Sequence, residues 1–163
     1  MTDDEKAALE GCSLLLDRYD SLQMATIADD GNPHISYAPF CFSSGCFYIL
    51  ISQLAAHTGH LMRREDVSIV VIADEKESRN LFARERLTIS AKAKLLKSDS
   101  ILASEVLEQM ELALGKTVKL LRTLPDFLVF QLVPQQGRYV AGFGKAYEFD
   151  LLLQKMEHVG AKN

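Results

Sequence analysis

The residues able to do chemistry are few and scattered. LAAHTGH (54–60) carries two histidines three apart, His57 and His60, which share a face if the segment is helical. Zinc would need one or two more ligands, and Glu65 and Asp66 are too close in sequence to complete the set. A helix start also offers free N–H groups and the positive end of its dipole, so Ser52 and His57 could meet a phosphate or carboxylate. An ordinary, partly exposed helix carrying two imidazoles explains the same residues. Arg84 and Arg86 stand two apart, and on a strand would present two guanidinium groups on one face, suited to carboxylates or to solvent. Asp126, after Pro125, could cap a turn or orient a histidine. His158 lies in a polar tail, idle or within reach of a partner subunit or a metal. GFGKAY (142–147) places two glycines within a strand pattern, without the third glycine and following helix of a nucleotide-binding loop. Cys12, Cys41 and Cys46 lack metal-site spacing; Cys41 and Cys46 flank a hairpin loop and could lie opposite each other, and reduced core thiols are the plainer expectation.

The elements that must position these residues follow from periodicity. Thr2 and Glu5 form a capping box, and Leu9, Cys12, Leu15, Leu16 and Tyr19 fall on one helical face. SLQMATIA (21–28), HISYAPFCF (34–42) and CFYILIS (46–52) read as an antiparallel meander turning at Asp29–Gly31 and at 43–45. Pro39 removes one ladder donor and belongs at an edge or a bulge. A short helix over 54–65 precedes VSIVVIAD (67–74), apolar enough for a strand buried on both faces. After a polar connection, 86–96 alternates as a strand. A helix follows Ser98 with Ile101, Leu102, Val106, Leu107, Met110 and Leu114 as its stripe, stopped by Gly115. A second short helix ends at Pro125. Strands are expected at 127–134 and 138–149, with a turn at Gln135–Gly137, and then a short fraying helix in the tail.

About seven strands with three or four helices, joined antiparallel, favour a closed barrel and one domain over 1–163. The net charge of −4 argues against nucleic acid. No apolar run reaches the roughly 20 residues of a spanning helix, and the acidic N-terminus is unlike a leader, so a cytoplasmic protein without membrane partners is expected.

ATIADDGNPHISYAPF (25–40), YILISQLAAHTGHL (48–61), LFARERLTI (81–89) and DFLVFQLVPQQGRYVAGFGKAY (126–147) resemble, in order, the haem-utilisation branch of the pyridoxamine 5′-phosphate oxidase-like FMN-binding split barrels. The resemblance implies a mostly β split barrel with peripheral helices, acting as a homodimer with its ligand in a groove between subunits. Flavin-using relatives hold the FMN phosphate with arginine and lysine where this chain has Ser36, Cys41 and His57, which shifts the expectation toward haem and leaves FMN as the alternative. By the same resemblance, His158 is the haem-iron ligand, Asp126 its supporting carboxylate and Arg86 the basic residue beside the haem. The implied activity is oxygen-dependent haem degradation, with a non-enzymatic haem carrier as the other outcome.

Overall fold

In a computed structural model, residues 1–149 and 156–159 are described. Helix α1 (Asp3–Arg18) starts at the expected capping box: the Thr2 hydroxyl accepts from the Glu5 N–H at 3.2 Å, and the Glu5 carboxylate accepts from the Thr2 N–H at 2.7 Å. Its buried side is Ala8, Cys12, Leu15 and Leu16, which lies against the barrel core. Strands β1 (Ser21–Ile27), β2 (Pro33–Ser43) and β3 (Cys46–Ser52) follow. Next come α2 (Ala56–Arg63), β4 (Asp66–Ile72) and, after two single 3-10 turns, β5 (Arg86–Leu95). Helices α3 (Ile101–Leu114) and α4 (Lys116–Leu121) lead into β6 (Phe127–Gly142), β7 (Lys145–Phe149) and β8 (Met156–His158).

The sheet order is β3-β2-β1-β4-β5-β6-β7-β8, and pairing of β3 with β6 closes the first six strands into a barrel. The mostly β split barrel with peripheral helices is therefore borne out. Among the described residues, no helix is long and apolar enough to cross a membrane.

One strand departs from the sequence expectation in a way that shapes the molecule. Gln135–Gly137 is not a turn; β6 runs unbroken through it for 16 residues. Its first part pairs with β3 and β5, and its second part with β5 and β7. The register slips where Ser90 opposes Gln136 but Ala91 opposes Pro134, so Gln135 is the extra residue of a bulge. That bulge accommodates Pro134 inside a paired strand, and β6 stays paired with β5 beyond it. The chain instead reverses at Phe143–Gly144, between the paired Gly142 and Lys145, with Gly144 at φ 67. So the second glycine of GFG serves a hairpin turn.

Other differences share a cause: a neighbour that periodicity does not reveal. Strand β4 alternates, with Val67, Ile69 and Val71 buried while Ser68 is exposed and Val70 and Ile72 are half-buried, because only its inner face is covered. In α3 the buried line is Ala103, Val106 and Met110, whereas Ile101 is 79% exposed. Cys41 pairs with Tyr48 and Cys46 with Ser43, so the two thiols are not opposite each other and remain free. Pro39 sits where β2 changes partner, since residues up to 39 pair with β1 and those from Phe40 pair with β3. In the tail, Met156–His158 forms a strand on β7 where a helix was expected; the rest of that expectation falls outside the described residues.

Gly137 lies opposite Phe149, and a methyl group there would overlap the Phe149 ring. Phe149 is only 5% exposed and cannot swing clear. Gly137→Ala is therefore expected to lower stability by about 1–3 kcal/mol, read from the urea midpoint at unchanged m-value. A midpoint equal to the wild type would show that the ring yields.

Candidate functional site

Three places hold the residues singled out by sequence. The first is the junction where β3 ends, α2 begins and β6 starts. The Ser52 hydroxyl donates to Asp126 Oδ2 at 2.9 Å and accepts from the Leu54 N–H at 3.1 Å. The Thr58 hydroxyl donates to the Ser52 carbonyl at 2.5 Å, and the Gln53 N–H donates to the Asp126 carbonyl at 2.7 Å. Helix α2 has Ala55 at its N-cap with no side-chain cap. Asp126 thus pins the helix start to β6. Its carboxylate also places negative charge where a phosphate would have to sit, and Ser52 is already committed to it.

The second place is a set of imidazoles between α2 and the ends of β1 and β2. Buried His60 bonds Thr26 Oγ1 through Nδ1 at 2.9 Å, and the His34 ring meets it edge-on at a centroid distance of 5.0 Å. His57 lies near both. Burial first, then the His34 and His60 charges, hold its pKa below the ordinary imidazole value. The Ser36 hydroxyl oxygen is buried nearby in the same ladder, with no hydrogen-bond partner among the described residues. The fold thus brings a third imidazole, His34, to His57 and His60, yet no group of three or more side chains converges on a metal position among the described residues.

This depressed pKa has a pH consequence with a definite sign. Above about pH 6.5 the imidazole is neutral both folded and unfolded and contributes nothing. As pH falls through the window below that value, the unfolded chain takes up the proton first, so stability drops. Thermal melts from pH 8 to 5 are expected to show Tm falling more steeply for the wild type than for His57→Gln. Identical slopes would contradict this.

The third place is the outward face of the sheet. Paired positions set Gln23, Val70, Thr88, Arg138 and Glu148 in one row across β1, β4, β5, β6 and β7. The adjacent row carries Ile72, Arg86, Val140 and Ala146. A groove of about 510 Å³ lies over β5–β7, lined by Arg86, Thr88, Ser90, Arg138, Val140 and Glu148 among others. Arg86 donates to the Arg84 carbonyl at 2.9 Å. Arg84 is not its strand partner: it precedes β5, donates to the Ala73 carbonyl and lies 3.5 Å from Glu75, which ties down the preceding loop. The second guanidinium on the Arg86 face is Arg138, ion-paired with Glu148 at 2.5 Å. Sequence reasoning missed it, because only the β5–β6 register brings the two together.

His158 does not join this groove within one chain. It pairs opposite Tyr147, whose buried ring it meets edge-on at 5.3 Å, whereas the groove face carries the alternate residue Glu148. Its Nε2 bonds the Gly144 carbonyl at 2.9 Å, which makes Nε2 the protonated nitrogen and leaves Nδ1 with its lone pair. Nor does His158 approach Asp126. Tyr139, in the β6 row next to Tyr147, is thirteen residues beyond Asp126, about 40 Å of strand contour. The cysteines offer no nucleophile: burial pushes the Cys12 thiol up to about 12 and Cys41 to about 11.

Comparison with known proteins places this geometry. A family model described as pyridoxamine 5′-phosphate oxidase matches residues 12–141. The chain is 43% identical over 128 residues to the haem oxygenase HutZ of Vibrio cholerae, a span covering 78% of this chain and 73% of that protein. A crystal structure of HutZ, described as the haem storage protein of Vibrio cholerae, superposes with a TM-score of 0.76 at 35% identity, covering 87% of this chain and 93% of the other. The crystal structure of Campylobacter jejuni ChuZ gives a TM-score of 0.85 at 25% identity, covering 98% and 66%.

Proposed function

Since the chain belongs to the pyridoxamine 5′-phosphate oxidase family, in its haem-utilisation branch, we propose that it binds haem between two copies of itself and degrades it with oxygen. The observation that carries this reading is the Arg86-lined groove on the sheet's outward face. Its floor is formed by short and β-branched side chains, Thr88, Ser90 and Val140, which leave room for a flat ring. Arg86 supplies a guanidinium for a propionate, the geometry this group meets best.

The groove is open on one side, so a second copy would cover the ring. The same sheet face continues over Val70 to Ile35 and Tyr37, which are 78% and 64% exposed. That exposed apolar patch, bordered by the polar groove, suits a self-complementary contact. Asp126, just before β6, and His158, on β8 near the far end of β6, then serve one site only if each comes from a different copy. Bound haem would supply the iron at which oxygen is reduced. The chain's own work is to seat the ring, neutralise its carboxylates, hold the imidazole and exclude water.

FMN is the alternative, and the β3–α2 junction disfavours it. The hydroxyl of Ser52 already serves Asp126, His57 is driven toward neutrality, and Ser36 adds no charge. HutZ, described both as an oxygenase and as a storage protein, marks the remaining division.

Haemin titration of the purified protein tests the reading. A sharp Soret band saturating at a fixed ratio is expected; copurified flavin with no such band would reject it. Adding an electron donor and oxygen then separates degradation, with loss of the band and release of iron, from carriage, with the band unchanged.

A further inference from the structure

We propose that Arg138 is a second carboxylate-binding residue of the groove, and that Glu148 holds it until a ligand carboxylate takes its place. The proposal rests on the haem reading above. Arg138 sits opposite Thr88, two positions from Arg86 along β5, so the two guanidinium groups occupy neighbouring rows of one outward face. Thus the groove matches a ligand with two carboxylates on one edge of a flat body.

The Arg138–Glu148 pair spans β6 and β7 at 2.5 Å, with side chains 53% and 59% exposed. Exposure of that order means the bond is worth little in water and exchanges readily. A propionate arriving at the same guanidinium brings the same charge and geometry as Glu148. Glu148 is therefore a built-in competitor. It keeps the cation oriented along the groove wall and sets a threshold that a monoanion without a large apolar body does not pass.

The opposite signs of two substitutions test this. Soret titration with haemin is expected to show affinity about tenfold weaker in Arg138→Gln and severalfold tighter in Glu148→Gln. With haemin dimethyl ester, which has no carboxylates, wild type and Arg138→Gln should bind alike. Both side chains are exposed, so neither change should alter folding, and a thermal melt checks that. An Arg138→Gln titration equal to wild type, or a Glu148→Gln titration no tighter than wild type, overturns the proposal while leaving the haem reading intact. A wild-type protein that binds no haemin overturns both.

Discussion

His158→Ala is expected to abolish the sharp Soret band and to weaken haemin binding by about a hundredfold or more, leaving the broad absorption of unspecifically adsorbed haemin. The Gly144 carbonyl accepts the Nε2 proton at 2.9 Å, so the ring is held as one tautomer with Nδ1 free to donate its lone pair. Removal of the imidazole deletes the only such nitrogen on β8. In the two-copy site the Asp126 carboxylate of the second copy would replace the Gly144 carbonyl as acceptor of the Nε2 proton; a carboxylate so placed behind an imidazole ligand typically accounts for 10–100-fold in affinity, and Asp126→Ala is expected to cost about that much. If β8 served only to cover Tyr147, His158→Ala would leave the spectrum untouched and shift stability slightly.

Phe130→Ala carries the largest expected loss of stability. Phe130 is 1% exposed and stands where the barrel closes, paired with Ile49 of β3 on one side and Leu95 of β5 on the other. Truncation removes the ring's transfer free energy and leaves a cavity that two locked ladders cannot collapse. About 3–5 kcal/mol should be lost, against a total of the order of 5–15 kcal/mol for a domain. The urea midpoint should fall accordingly, and much of the protein should become insoluble at 37 °C. A loss under about 1.5 kcal/mol would mean that the β3–β6 closure contributes little. Haemin binding by the folded fraction should persist, since Phe130 faces inward.

The barrel was legible because its strands alternate and its turns carry their own chemistry. Leu22, Met24 and Thr26 point inward as their spacing requires, and the 43–45 turn reverses with Ser44 and Gly45 both at positive φ. What was illegible depends on register. Gln135–Gly137 has turn composition, yet neighbouring strands on both sides hold it extended, and a bulge absorbs the misfit. Arg84 and Arg86 look paired by spacing, but the strand begins at Arg86, so its companion comes from Arg138, 52 positions later in the chain. Ser52 and Asp126 were each legible as polar residues at element ends. Their mutual hydrogen bond was not, because it spans the β3–β6 closure. The tail strand fell to a helical pattern in DLLLQKMEH, where β7's free edge overrides local preference at Met156–His158.

The central claim is a haem site completed by two copies of the chain, with His158 from one and Asp126 from the other. Co-expression of differently tagged His158→Ala and Asp126→Ala chains, followed by isolation of the mixed dimer, tests it directly. One interface of that dimer carries both lesions and the other carries neither. Haemin titration should therefore recover one full-affinity Soret-forming site per mixed dimer, with none in either parent homodimer. A mixed dimer as impaired as its parents, or chains that sediment only as monomers, would contradict the account.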